Sequence, residues 1–274
     1  MEVIKNDYYM LNESIKSSHD FDGNFISKGK SLYEVIRIYK GVPLFFEKHI
    51  SRMFNSANIS NLKLPSNGEK LKAAILKLTE VNEVQFGNIK IVFNFYNDEC
   101  NFYCYFIEHQ YPSEKDYNDG VSTILFKGER KNPNAKIMDV DFRENVDSKI
   151  RDKKVFEAIL VDRNGNITEG SKSNIFMVKE KCVYTSPVED VLPGITRDVI
   201  IDIVLKCGYK LKEERINYKD IKYMDGLFIS GTSPKVLPIN KVDDILFNSQ
   251  NNLIIKEIHN LYEEYIEDYI KKFL

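Results

Sequence analysis

The sequence has no tryptophan, only four cysteines in 274 residues, and almost no excess of charge of either sign. Each shortage removes a class of protein. Cys100, Cys104, Cys182 and Cys207 fit neither a zinc-site spacing nor a redox Cys-x-x-Cys pair. They read as reduced, mostly buried thiols, with no metal site expected. Lys and Arg total 39 against 41 Asp and Glu, a formal net charge of −2, which leaves no footprint for a nucleic acid. No apolar run approaches the ~20 residues that a membrane span needs, and MEVIKNDYYMLNES lacks the apolar stretch of a secretory leader. No internal repeat or low-complexity segment is visible. The expectation is a cytoplasmic protein with neither membrane nor nucleic-acid partners.

What is present is ring surface. The 17 Phe and 16 Tyr would not stay solvated, so disorder is excluded. The length suits one large domain or, better, two domains. Residues 31–40, SLYEVIRIYK, have a β-branched and aromatic strand pattern. Gly41-Val42-Pro43 marks a turn, and Leu44-Phe45-Phe46 reads as the returning strand. EKHISRMFNSANIS (47–60) follows with helical spacing, and a second helix is expected from near Gly68. Two strand-like runs, 88–97 and 101–111, flank an Asp98-Glu99-Cys100 turn. The first ~110 residues therefore predict an α+β unit with an antiparallel sheet. PSEKDYNDG (112–120) is the best linker candidate, dividing the chain into domains at 1–112 and 121–274 with residues 113–120 between them.

Beyond it, VSTILF (121–126), FEAILVD (156–162), NITEG (166–170), SNIFMVK (173–179) and KCVYTSP (181–187) read as strands. Asn164-Gly165 reads as a tight turn. A helix opens at Thr196 and stops at Gly208, placed as a C′ glycine. The amphipathic end, NLIIKEIHNLYEEYIEDYIKKFL, is expected to dock on the body.

Several residues carry chemistry, each with a plainer alternative. Arg52, one helical turn after His49, is an anion clamp or a solvated arginine. Glu169 ends a strand expected to be buried, where a carboxylate needs a cation or hydrogen-bond donors. Gly194-Ile195-Thr196 opens a helix whose free N–H groups make an anion site, unless Thr196 is simply the N-cap. Gly231-Thr232-Ser233-Pro234 is a phosphate or carboxylate cradle or an ordinary turn.

Together these pieces resemble a known pattern. SLYEVIRIYKG with EKHISRM is similar to the N-terminal hairpin and His-x-x-Arg helix of the class IV (fold type IV) aminotransferases. FEAILVDRNGNITEGSKSNIF (156–176) resembles their central signature. LPGITRDVIIDI (192–203) resembles their phosphate-binding turn, and MDGLFISGTSP (224–234) their last signature strand. This pyridoxal phosphate family includes branched-chain aminotransferases, D-amino acid aminotransferases and aminodeoxychorismate lyase. The resemblance spans nearly the whole chain in one order. It implies an α/β (α+β) fold of the two-domain D-amino acid aminotransferase type. The smaller N-terminal α+β domain and larger C-terminal β-rich domain of that fold hold pyridoxal 5′-phosphate between them. A homodimer with its active site near the subunit interface is also implied.

Roles follow from the resemblance. Lys136, which stands 33 residues before Glu169 and 21 before Glu157, matches the family's Schiff-base lysine, on the strand preceding the central signature. Lys131, Lys149, Lys153 and Lys154 do not fit that spacing. Relatives often have Asn three residues after the lysine, where this chain has Asp139. Glu169 would pair with the pyridine nitrogen and make the ring an electron sink. Arg52 would hold the phosphate, with the N–H groups of Ile195 and Thr196 and the hydroxyls of Thr196 and Thr232. Tyr33 stands where relatives place a tyrosine near the substrate carboxylate, and reads equally as a core aromatic.

The implied reaction moves an amino group from an amino acid to a 2-oxo acid; the alternative is a lyase that releases pyruvate. A non-catalytic binding module is the third reading, against which the presence of both Lys136 and Glu169 argues. The substrate stays open. Relatives carry a carboxylate-binding arginine on a loop between two strands of the first domain, and FNFYNDECNFYCYF (93–106) has none. His109-Gln110-Tyr111-Pro112 superficially resembles that trap but belongs to the following strand, leaving Arg37 and Lys235 as candidate cations.

Overall fold

A computed structural model describes residues 2–109 and 111–274 of the chain. It divides into two compact units. The first comprises the described residues of Met1–Gln110 with Ala135–Val140 and Asp268–Leu274. The second comprises Tyr111–Asn134 and Asp141–Glu267.

The first unit holds β1 (Tyr8–Leu11), β2 (Ser14–Ser17), β3 (Lys30–Tyr39), β4 (Val42–Pro43), α1 (Phe46–Ile59), α2 (Gly68–Val81), β5 (Phe86–Tyr96) and β6 (Glu99–Ile107). Its strands form one antiparallel sheet in the order β2-β1-β6-β5-β3-β4. The period of two along β3 and β5 sends Leu32, Ile36, Ile38, Ile89, Ile91 and Phe93 to one face. There they join Met53 and Ala57 of α1 and Leu71, Ile75 and Leu78 of α2 in a single core. The opposite face is aromatic, with Tyr9, Phe25 and Tyr105 buried and Tyr33 and Tyr103 packed on them.

Several boundaries differ from the sequence reading: Val42-Pro43, read as part of a turn, is β4, and two further differences have a backbone cause. Leu44-Phe45-Phe46 is not a strand, because Phe45 adopts a left-handed conformation (φ 53°) and α1 starts at once. The β5–β6 turn is Asn97-Asp98, with φ of 52° and 62°, rather than Asp98-Glu99-Cys100. Positive φ at both central residues is the two-residue hairpin turn whose twist matches the strands. β6 ends at Ile107, and of the expected strand end at 108–111, Gln110 lies outside the described residues.

The second unit holds α3 (Glu114–Asp119), β7 (Val121–Lys127), all but the first residue of α4 (Val140–Lys153), β8 (Glu157–Val161), β9 (Asn166–Gly170), β10 (Asn174–Lys179), β11 (Cys182–Thr185), α5 (Ile195–Lys206), β12 (Lys210–Glu213), β13 (Ile216–Asn217), β14 (Gly226–Gly231), β15 (Lys235–Val242), β16 (Ile245–Leu246) and most of α6 (Leu253–Phe273). Its ten strands run β12-β11-β10-β14-β15-β7-β8-β9-β13, with β16 on β15. Pairing is mixed, since β11/β12, β15/β7 and β7/β8 are parallel. Strands β8, β10 and β14 are buried along most of their lengths, and Phe176 stacks on Phe228 with centroids 4.9 Å apart. The segment read as a linker, 113–120, holds α3, closed by a reciprocal capping box between Ser113 and Asp116. Among the described residues no helix is long and apolar enough to cross a membrane, no group of three potential metal ligands is present, and all four cysteines are free thiols.

Candidate functional site

In the first unit the chemistry is built around Glu34. Its place on β3, between Leu32 and Ile36, points it into the apolar face under α1, where it is wholly buried. An ionised carboxylate there requires cations and donors. α1 supplies both from adjacent turns. His49 Nδ1 lies 2.8 Å from Glu34 Oε2. Arg52 donates from Nε to Oε1 at 2.7 Å and from Nη2 to Oε2 at 2.6 Å, a two-pronged match of planar groups. Burial alone would raise the Glu34 pKa, but the Arg52 charge and the bonds from Arg52 and His49 bring it down to about 2. A carboxylate only accepts, so His49 presents a protonated Nδ1. Burial holds the His49 pKa below 6.5 against the pull of Glu34.

Lys136 is not on a strand. It lies in the short segment before α4, which touches β3 through a single bridge, Leu32 to Ile137. The segment is nevertheless well held. Tyr33 N–H donates to the Lys136 carbonyl at 3.2 Å, and Met138 N–H to the Ser31 carbonyl at 3.0 Å. Lys136 N–H donates to Ser56 Oγ, one turn beyond Arg52 on α1, at 3.1 Å. The Lys136 ammonium sits 4.9 Å from the centre of the Tyr33 ring. The structure thus brings Lys136, Tyr33 and the Arg52 helix together. Arg37 approaches the Tyr39 ring at 5.6 Å.

In the second unit Glu169, at the end of β9, is 3% exposed. Its Oε1 lies 2.9 Å from Arg130 Nε, and its Oε2 accepts the Leu192 N–H at 3.1 Å. Leu192 begins the turn into α5, so Glu169 and the Ile195–Thr196 turn are joined. Asn174 Nδ2 holds the Leu192 carbonyl at 2.9 Å from the other side. The N-cap of α5 is Gly194, with no side-chain cap, which sets aside the reading of Thr196 as the cap. A Cβ at Gly194 would stand 2.0 Å from Asn174 Oδ1, so only glycine fits. Ile195 and Thr196 are the first two residues of the helix, both buried, and the Thr196 hydroxyl is 3.3 Å from that of Tyr262. Thr232 lies in the turn between β14 and β15, which the Gly231–Lys235 pair closes. Just before it, Ser230 is fully buried opposite Asn174, its Oγ without a hydrogen-bond partner among the described residues. Lys235 is ion-paired with Glu263 at 2.5 Å.

Glu157 braces the turn after β9. It accepts from Ser171 Oγ at 3.1 Å, Lys172 N–H at 2.5 Å and Ser173 Oγ at 3.0 Å. Burial still pushes its pKa upward. A Cβ at Gly170 would meet Ser173 Oγ at 2.1 Å and push it away from Glu157. Sequence reasoning missed the roles of Glu34, Arg130 and Asn174. For Glu34 a signal existed: a single acid among apolar residues of a strand, followed by a helix offering His and Arg one turn apart. Arg130 comes from an irregular loop with no period to read.

The sequence pattern of the family described as "Amino-transferase class IV" matches residues 31–242. A D-alanine aminotransferase of Bacillus licheniformis is 28% identical over 261 residues, covering 89% of this chain and 89% of that protein. A putative branched-chain-amino-acid aminotransferase of Methanocaldococcus jannaschii is 28% identical over 253 residues, 86% of this chain and 87% of that one. Among solved structures, a T.th. branched-chain amino acid aminotransferase complexed with N-(5′-phosphopyridoxyl)-L-glutamate superposes with a TM-score of 0.87 at 21% identity, over 97% of this chain and 96% of that chain.

Proposed function

The chain belongs to the class IV aminotransferase family, an enzyme family dependent on pyridoxal 5′-phosphate, and we propose that Lys136, Arg52, Glu169, Ile195, Thr196 and Thr232 hold that cofactor while Tyr33 borders the substrate. The residues present fit the group. The α5 N-terminus offers N–H groups that no side chain caps, over a glycine-only approach. The Ser230 hydroxyl is buried without a partner among the described residues, beside the turn that carries Thr232. Glu169 is a buried acid for a ring nitrogen, and Lys136 a lysine fixed through its backbone. That fixed lysine is the single observation that carries the reading.

Bound, the cofactor supplies an aldehyde to take up the amine and a ring to draw electrons from the bonds at Cα. The chain supplies the rest. Lys136 would hold the cofactor covalently, and its Nζ, when free, would carry the proton from the substrate Cα to the cofactor's aldehyde carbon. Glu169 accepts the pyridine N–H and keeps that nitrogen protonated. The N–H groups of Ile195 and Thr196, with the hydroxyls of Thr196 and Thr232, receive the phosphate at the positive end of α5. Arg52, oriented by Glu34, adds a fixed positive charge for the same phosphate.

The substrates in this reading are an amino acid and a 2-oxo acid, used by a cytoplasmic homodimer with a smaller N-terminal and a larger C-terminal domain. The lyase alternative is not favoured, since the relatives described above are a D-alanine aminotransferase and a putative branched-chain aminotransferase. The test is a panel of L- and D-amino acids with several oxo acids, given to the chain after incubation with the cofactor and read by product chirality. The reading predicts an absorbance band near the visible edge that an amino donor alone discharges. Absence of the band, or pyruvate released catalytically in place of amino transfer, contradicts it.

A further inference from the structure

The stretch where a carboxylate-binding arginine was expected has none, yet the face of β3 and β5 that carries Tyr33 holds a buried cation just upstream. Lys90 on β5 is directly opposite Val35, two residues from Tyr33 and on the same face. It is 7% exposed, and its ammonium lies 5.0 Å from the centre of the Tyr33 ring. The Lys136 ammonium approaches that same ring at 4.9 Å. One tyrosine thus has two lysines against it, of which the proposed function uses only one.

Lys90 already holds a carboxylate. Glu2 Oε1 stands 2.8 Å from its Nζ, with side chains 17% and 9% exposed. Glu2 belongs to a segment bonded by its own N–H to the Gly23 carbonyl at 3.1 Å and by Lys5 N–H to the Phe106 carbonyl at 3.0 Å. Opposite Lys90 on β6 is Tyr105, fully buried, whose hydroxyl has no hydrogen-bond partner among the described residues. A buried unsatisfied donor calls for an explanation. Burial first, and then the Glu2 carboxylate, push the Tyr105 pKa well above 10, so this hydroxyl stays a neutral donor.

We propose that Lys90 receives the α-carboxylate of the substrate, in place of the missing arginine, and that the Glu2 carboxylate occupies this position until substrate displaces it. The inference rests on the aminotransferase reading and adds the recognition element that reading lacks. An α-amino acid carries amine and carboxylate on one carbon. The cation for the carboxylate therefore belongs within a ring's width of the lysine that the amine displaces, and Tyr33 supplies that spacing. Exchanging one carboxylate for another keeps Lys90 paired throughout, so no buried charge is stranded. The hydroxyl of Tyr105 is a second donor for the same group.

The experiment uses the cofactor-loaded enzyme and its Lys90→Met, Lys90→Arg and Glu2→Gln variants. D-alanine and L-leucine are the amino donors, isopropylamine is the amine without a carboxylate, and discharge of the visible band is the readout. Lys90→Met is expected to raise KM for the amino acids at least about tenfold, as loss of a desolvated charge partner does. It should leave isopropylamine unaffected, while Lys90→Arg restores most of the amino acid affinity. Glu2→Gln should lower KM. Calorimetry with propanoate gives a readout apart from turnover: binding to the wild type, none to Lys90→Met, tighter binding to Glu2→Gln. Unchanged amino acid KM and propanoate binding in Lys90→Met, with only its melting temperature lowered, makes the Lys90–Glu2 pair a structural clamp and overturns the inference. A wild type that shows no visible band, or reacts with neither amino acid, removes the aminotransferase reading itself, a different failure from an unchanged KM in a reacting enzyme.

Discussion

Glu34 and Glu169 are both buried carboxylates set by β-strands, but the two units of the chain satisfy them in different ways. Glu34 is bonded by side chains alone, from His49 and Arg52 on one helix. Glu169 takes one cation from a loop and one backbone N–H from the turn before α5. The first unit builds its site from charges aligned by regular elements. The second builds its site from backbone donors presented by turns where glycine permits close approach. The first should therefore be broken by removing charge, and the second by adding volume.

The largest effect is expected at Glu34. Glu34→Ala strands the Arg52 and His49 side chains in the core and should lower stability by roughly 3–5 kcal/mol, measured by thermal or denaturant unfolding. Next is Glu169→Gln, which keeps an acceptor for Leu192 N–H but removes the charge. Turnover of the cofactor-saturated enzyme should fall by roughly 10²–10³-fold, with the melting temperature much less affected than in Glu34→Ala. Gly194→Ala forces a Cβ against Asn174 and should cost about 1–3 kcal/mol and weaken cofactor binding in an absorbance titration. Gly68→Ala sharpens the contrast, because its Cβ would meet only Ile50, at 3.7 Å, and should change neither quantity.

The mildest expectation is a pH dependence specific to the first unit. Glu34, at about 2 folded against 4.5 ordinarily, binds fewer protons folded than unfolded. Its contribution to stability is complete above pH 4.5 and fades as the pH falls toward 2. His49, held below 6.5, has the same sign and withdraws stability as the pH drops below that value. Unfolding free energy should therefore decline from pH 6.5 downward, and Glu34→Gln should flatten the part below 4.5.

The same contrast explains what the sequence disclosed. Arg52, Lys136, Glu169 and the Gly194 turn stand in stretches that resemble the family's motifs, and such stretches can be read along one chain. Glu34 was hidden because its need for cations arises only when α1 lies across β3. Lys90 was hidden because its closeness to Tyr33 depends on the register that sets Val35 opposite Lys90. The strand expected at Leu44-Phe45-Phe46 failed on one left-handed residue, and the strand that the family resemblance implies for Lys136 is reduced to one bridge before α4 begins. Composition records neither backbone handedness nor pairing across distant strands.

Incubation with pyridoxal 5′-phosphate, reduction with borohydride and peptide mass mapping test the central claim most directly. The account predicts a phosphopyridoxyl mass on the peptide containing Lys136 and no label there in Lys136→Ala. Label confined to another lysine, or no label at all, would contradict it.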